Sequence, residues 1–126
     1  MPETAIHIFR DDDGSVPFWE WLDELEARNR KVYEKCRSYV ARLAEFGHEL
    51  RRPTADVLRD GIYELRLSYL GVNYRILYGF AGKDLVLISH GITKEKRVPP
   101  AEIDKAVQRL NKYTEDPEKH GVRDDG

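Results

Sequence analysis

GIYELRLSYLGVNYRILYGFAGKDLVLISHGITKEKRVPPA, residues 61–101, decides how the rest of the chain is read. Three runs rich in aliphatic and aromatic residues, roughly 61–68, 72–79 and 84–91, are separated by Leu70-Gly71 and by Ala81-Gly82-Lys83-Asp84. Runs of that length with short glycine-bearing linkers predict an antiparallel meander of three strands. Alternation along each strand then sorts the side chains. Tyr63, Leu65 and Leu67 share a face of the first strand, and Tyr74, Ile76 and Tyr78 share a face of the second. Arg66, Asn73 and Arg75 fall together on the opposite face, with Glu64. The third run is apolar on both faces from Leu85 to Ile88, which predicts a central, well-covered strand. It continues through Ser89-His90 into a basic loop holding Lys94, Lys96 and Arg97. Fixed cations on a rigid sheet suit a polyanion, and the expected client is the phosphate backbone of RNA.

Upstream, TAIHIFR at 4–10 predicts a first strand, and Asp11 to Gly14 a turn. Pro17 suits a first helical turn, and Phe18, Trp21, Leu22 and Leu25 recur at helical spacing to about Ala27. Val32, Cys36, Tyr39, Val40, Leu43 and Phe46 form a second apolar stripe that ends at Gly47. The two helices are expected to form an antiparallel hairpin. Residues 48–60 have no clear periodicity and read as a connection around Pro53. Downstream, Pro99-Pro100 opens a last helix whose apolar face is Ile103, Ala106, Val107, Leu110 and Tyr113. Residues 117–126 have almost nothing to bury and are expected to be a flexible tail on a single domain of residues 1–116. The order is β-α-α-β-β-β-α, an α+β domain with one sheet face under helices and the other at least partly open.

Composition narrows the function classes. The net charge of −2 is uneven: residues 1–30 hold three basic and eight acidic side chains, while residues 57–98 hold seven and four. The bulk protein is therefore no electrostatic magnet for nucleic acid, but a local basic site remains open. The sequence contains no apolar run of about 18 residues, so no membrane span is expected. The N-terminal residues lack the pattern of a signal peptide, and the lone Cys36 cannot make an internal disulfide. A cytoplasmic protein is the simple expectation. Scattered His7, His48 and His120, with no HExxH, GxSxG, P-loop or GxGxxG, leave no support for a metal or cofactor site.

Bland readings stand beside the functional ones. Glu64, Arg66 and Arg75 would also serve as a surface ion network contributing at most about 1 kcal/mol per pair. The loop lysines would be solvated. His90 would shuttle a proton or simply hydrogen-bond at a strand end. Cys36, on an apolar stripe, reads as core.

Four segments, GIYELR at 61–66, NYRILY at 73–78, LISHGITK at 87–94 and PPAEIDKAV at 99–107, also carry a resemblance in their order and spacing. Over about residues 5–113 the chain resembles the RelE/HigB family of toxins from bacterial type II toxin–antitoxin systems, in its phage-derived HigB-like branch. The resemblance implies a barrel-like α+β fold. It also implies a metal-independent endoribonuclease that cuts messenger RNA on translating ribosomes and so inhibits translation. In such enzymes the ribose 2′-hydroxyl attacks the adjacent phosphodiester while protein cations stabilise the transition state. By position, Arg66 and Arg75 would clamp the scissile phosphate. Lys94 matches the first lysine of a double-lysine motif, and His90 a histidine common in this branch. Lys96 and Arg97 would serve the same loop in binding substrate, with Asn73 beside the clamp. The implied partners are a cognate antitoxin, expected to be a helix-turn-helix protein, the ribosome with its mRNA, and operator DNA through the antitoxin complex alone. The chain departs from the pattern at Glu95, Ile92 and Pro99, where relatives carry lysine, an aromatic and threonine, and at Glu64, where the better-known relatives carry lysine although glutamate is usual in this branch. The alternative is a non-catalytic or degenerate toxin-like module that binds an antitoxin and takes part in operon repression. A stand-alone RNA-binding protein fits less well, since no RNP-like aromatic pattern is present.

Overall fold

The computed structural model describes residues 3–93 and 96–124. The strands are β1 (Ala5–Phe9), β2 (Ala55–Arg59), β3 (Ile62–Tyr69), β4 (Val72–Phe80), β5 (Leu85–Thr93) and β6 (Gly121–Arg123). The helices are α1 (Pro17–Arg28), α2 (Arg30–Phe46), α3 (Pro100–Glu115) and the single turn α4 (Pro117–His120). The class is α+β. One sheet holds all six strands in the order β2-β3-β4-β5-β1-β6.

The expected meander is there: β3, β4 and β5 pair antiparallel, and Leu70-Gly71 joins β3 to β4 with both residues at positive φ, 48° and 81°. Those angles belong to the two-residue turn whose twist matches a hairpin. β5 is central, as its two-sided apolar character requires. Its other neighbour is β1, and that pairing is parallel, from Ala5↔Leu85 to Ile8↔Ile88. The sheet is therefore mixed and not wholly antiparallel. The α1–α2 hairpin returns the chain at β2 running opposite to β1, and the three antiparallel reversals from β2 through β3 and β4 bring β5 back parallel to β1.

The stretch read as a connection contains β2, paired antiparallel with β3 from Ala55↔Leu65 to Arg59↔Ile62. Ala55 alone of this edge strand is fully buried, and Asp56 and Arg59 interrupt its apolar residues, so no apolar run announces it. Residues 117–124, read as a flexible tail, are laid along β1 as α4 and β6. Polar bonds hold them there. Arg10 donates to the carbonyls of Glu118 (2.6 Å) and Lys119 (2.9 Å), and the Asp124 amide donates to Ile6 O (3.0 Å). Arg37 of α2 pairs with the Asp124 carboxylate at 3.1 Å. A segment held by charge and backbone has no hydrophobic signature to read.

α1 and α2 cover one sheet face. Phe18, Leu22, Val32, Cys36, Val40 and Leu43 pack there against Leu65, Leu67, Tyr74, Ile76, Tyr78 and Ile88. Gly91 lets the ring of Trp21 lie flat on β5; a Cβ at that position would clash with the indole. Trp21 Nε1 also donates to Thr93 Oγ1 at 3.0 Å, which ties α1 to the end of β5. The opposite sheet face is covered by α3, where Ile103 and Ala106 meet Ile62, Leu77 and Val98. α3 packs over β1, β5, β4 and β3, and Arg59 of β2 bonds its N-terminal end at Pro100 O and Asp104 Oδ1. The polar residues Glu64, Arg66, Ser68, Asn73 and Arg75 lie on this same face.

Candidate functional site

Register builds the site. Across β3, β4 and β5 the α3 face carries one row Glu64–Leu77–His90 and a second row Arg66–Arg75–Ile92, followed by Ser68 opposite Asn73. Arg66 and Arg75 are thus directly opposed, a like-charge pair that destabilises a sheet unless something offsets it.

Arg75 is buried and heavily engaged. Its Nε lies 3.0 Å from Glu64 Oε1, Nη1 donates to Tyr74 O, and Nη2 donates to Lys96 O, the last two at 3.3 Å. Through that last bond it fastens the loop after β5 to the sheet. Glu64 is buried too. Its Oε1 sits within ion-pair distance of Arg75, yet it receives no hydrogen bond among the described residues. Burial pushes its carboxyl above the ordinary carboxylate range, against the pull of the Arg75 and Arg66 charges. Arg66 differs from its neighbour. Its backbone N–H donates to Thr54 O at 2.7 Å, but its guanidinium makes no hydrogen bond or ion pair among the described residues. One arginine of the pair is neutralised and the other is available.

A pocket of about 300 Å³ opens at this corner, lined by Lys35, Tyr39, Pro53, Thr54, Arg66, Leu67, Ser68, Asn73 and Arg75. The lining includes three cations and no acid. Lys35 reaches it from α2 and donates to Ser68 O at 2.5 Å. The helical stripe of α2 put Lys35 beside Tyr39 and Val32, but nothing in the sequence set that edge of the helix against β3. Arg66, Arg75 and Asn73 come together here.

Among the described residues, His90, Lys96 and Arg97 do not line this pocket. His90 is 6% exposed and lies under α3. Its Nε2 is 2.8 Å from Glu102 Oε1 and its Nδ1 is 2.6 Å from Ser89 Oγ. An ionised carboxylate only accepts, so Nε2 carries the proton and Nδ1 accepts from the Ser89 hydroxyl. Burial pushes the imidazole down to about 4, outweighing the Glu102 bond that favours its charged form. His90 is a neutral, fully bonded strut between β5 and α3. Lys96 and Arg97 are exposed on the loop, where Lys96 reaches the site through its carbonyl. Lys94 and Glu95 lie outside the described residues.

Residues 20–111 match the family described as Phage derived protein Gp49-like (DUF891). The chain belongs to that family. The Gp49-like family falls within the RelE/HigB-like toxin superfamily and is associated with the toxins of toxin–antitoxin systems. No curated protein matches this Gp49-like chain. The matched span contains every residue that lines the cationic pocket.

Proposed function

We propose that this Gp49-like protein is a HigB-type toxin with a RelE-like domain, a ribosome-dependent mRNA endoribonuclease that acts in the cytoplasm and is held in check by a cognate antitoxin. The observation that carries this reading is the Arg66–Arg75 pair, opposed across β3 and β4 in a pocket without acids, with one guanidinium uncommitted. A scissile phosphate between them would receive two charged donors. The ribose 2′-oxygen then forms a bond to phosphorus as the bond to the 5′-oxygen breaks, which leaves a cyclic phosphate and a free 5′-hydroxyl. Both reactants belong to one RNA strand, so the protein's task is to hold geometry and to stabilise the added negative charge. The 2′-hydroxyl proton passes to water at the rim of the pocket, while Glu64, buried behind the clamp and outside the pocket lining, holds the Arg75 guanidinium in place. The leaving oxygen takes a proton from water at the rim of the pocket. Lys94, Lys96 and Arg97 would extend the positive field along the loop that Arg75 fastens.

Primer-extension mapping of cleavage on translated message tests this. Wild type cuts; an Arg66→Ala/Arg75→Ala double variant does not. Undiminished cleavage by the double variant would refute the clamp.

A second reading draws on the Glu64–Arg75 ion pair, which takes one cation out of play. In it the chain is a non-catalytic partner of a helix-turn-helix antitoxin and reaches operator DNA through that complex. Copurification of such an antitoxin with no cleavage on ribosomes would favour it.

A further inference from the structure

Helix α2 presents a basic stripe that the phosphate clamp does not use. Lys31, Lys35, Tyr39 and Arg42 recur at spacings of three and four, so they share one edge of the helix. The stripe is joined to the pocket, because Lys35 and Tyr39 are part of its lining. Arg42 holds its guanidinium over the Tyr39 ring, 5.4 Å from the centroid, and both Arg42 and Lys31 are exposed. An aromatic face capped by an exposed cation, beside a cationic pocket, matches what single-stranded nucleic acid requires. The ring stacks a base, and the cations follow the backbone.

We propose that the pocket is one end of a single-stranded RNA lane along α2, in which a base flanking the clamped phosphate stacks between Tyr39 and Arg42 while Lys35 and Lys31 hold the backbone. This rests on the nuclease reading and adds to it the path of the substrate. A base inserted between ring and guanidinium needs about 7 Å, twice a van der Waals stacking distance, and Arg42 on the exposed edge can swing out to give it. Stacking on a lone tyrosine tolerates any base, so the lane grips RNA without selecting sequence. It demands an unpaired strand, because a base inside a duplex has no free face.

Fluorescence anisotropy with a 2′-O-methyl octanucleotide, which cannot be cut, tests the lane against an abasic strand of the same length and charge. Tyr39→Leu, which keeps apolar bulk at the α2 edge, weakens the base-bearing octamer about tenfold and leaves the abasic strand unchanged. Tyr39→Phe binds both like wild type. Lys35→Gln weakens both strands and lowers the slope of log affinity on log salt by about 0.7, the signature of one lost phosphate contact on a single strand. The lane is overturned if Tyr39→Leu weakens both strands equally or neither, or if a duplex of the same sequence binds as tightly as the single strand. Cleavage of translated message is scored separately. Cutting that persists while binding ignores Tyr39 removes the lane and keeps the clamp; Tyr39-dependent binding by a protein that never cuts keeps the lane and removes the nuclease.

Discussion

Two polar clusters sit in the same row of the same sheet face, separated by Leu77, and they are built to opposite specifications. Under α3, Ser89 donates to His90 and His90 to Glu102, so the buried groups of that chain have partners. Beside β2, Glu64, Arg66 and Arg75 form no closed chain: an oxygen of Glu64 lacks a donor, and the Arg66 guanidinium lacks a partner among the described residues. Satisfied buried networks rigidify a fold, whereas an unmet polar group in a native structure calls for an explanation outside the fold. Arg66 and Arg75 line the cationic pocket, whereas neither Glu64 nor His90 does.

The contrast breaks first at Arg66. Arg66→Ala is expected to lower cleavage of translated message by about 10²–10³-fold with its urea midpoint near wild type, because the guanidinium has no native partner to lose. A variant that cuts normally but unfolds early would make the open cluster as structural as the closed one. Glu64→Ala leaves the buried Arg75 charge uncompensated and should cost about 3–5 kcal/mol in urea unfolding, on top of any loss of activity.

The closed cluster predicts a pH effect. His90 titrates near 4 in the folded protein against about 6.5 when unfolded, so above pH 6.5 the neutral ring is free of cost in both states. As pH falls below that, the unfolded chain takes up the proton first, and stability is lost progressively down to about pH 4, by up to ~3 kcal/mol. His90→Gln should flatten this part of the pH–stability curve while leaving cleavage within a few-fold of wild type. A cleavage loss as large as that of Arg66→Ala would move His90 into the machinery. The smallest effect concerns the docked tail: Arg37→Gln should cost about 2 kcal/mol by removing a charge-assisted bond to Asp124, with cleavage unchanged.

Strand alternation was enough to put Arg66, Arg75 and Asn73 on one face, because period two is read from the residues themselves. The central place of β5 was legible for the same reason. What escaped depended on contacts between distant segments. β2 buries only Ala55 fully and leaves Val57 and Arg59 exposed, although Asp60-Gly61, with φ of 52° and 81°, is a strong hairpin signal that marks its end. β6 contributes one apolar residue, Val122, and rests on Arg10 and Arg37, far away in sequence. Lys35 enters the pocket because α2 crosses the β3 edge, a tertiary fact no periodicity encodes. Glu64 was visible as a neighbour of the arginines, but its burial and its unmet oxygen follow from packing.

The position of β1 has a consequence for biosynthesis. This strand is translated before either of its partners, residues 85–88 on one side and 121–123 on the other. Vectorial synthesis therefore leaves β1 without a ladder until β5 has been made, and the cationic corner on β3 and β4 is made before the sheet that braces it can close. Until β5 has been made, the corner that carries Arg66 and Arg75 lacks the strand that pairs with β4 on its other side.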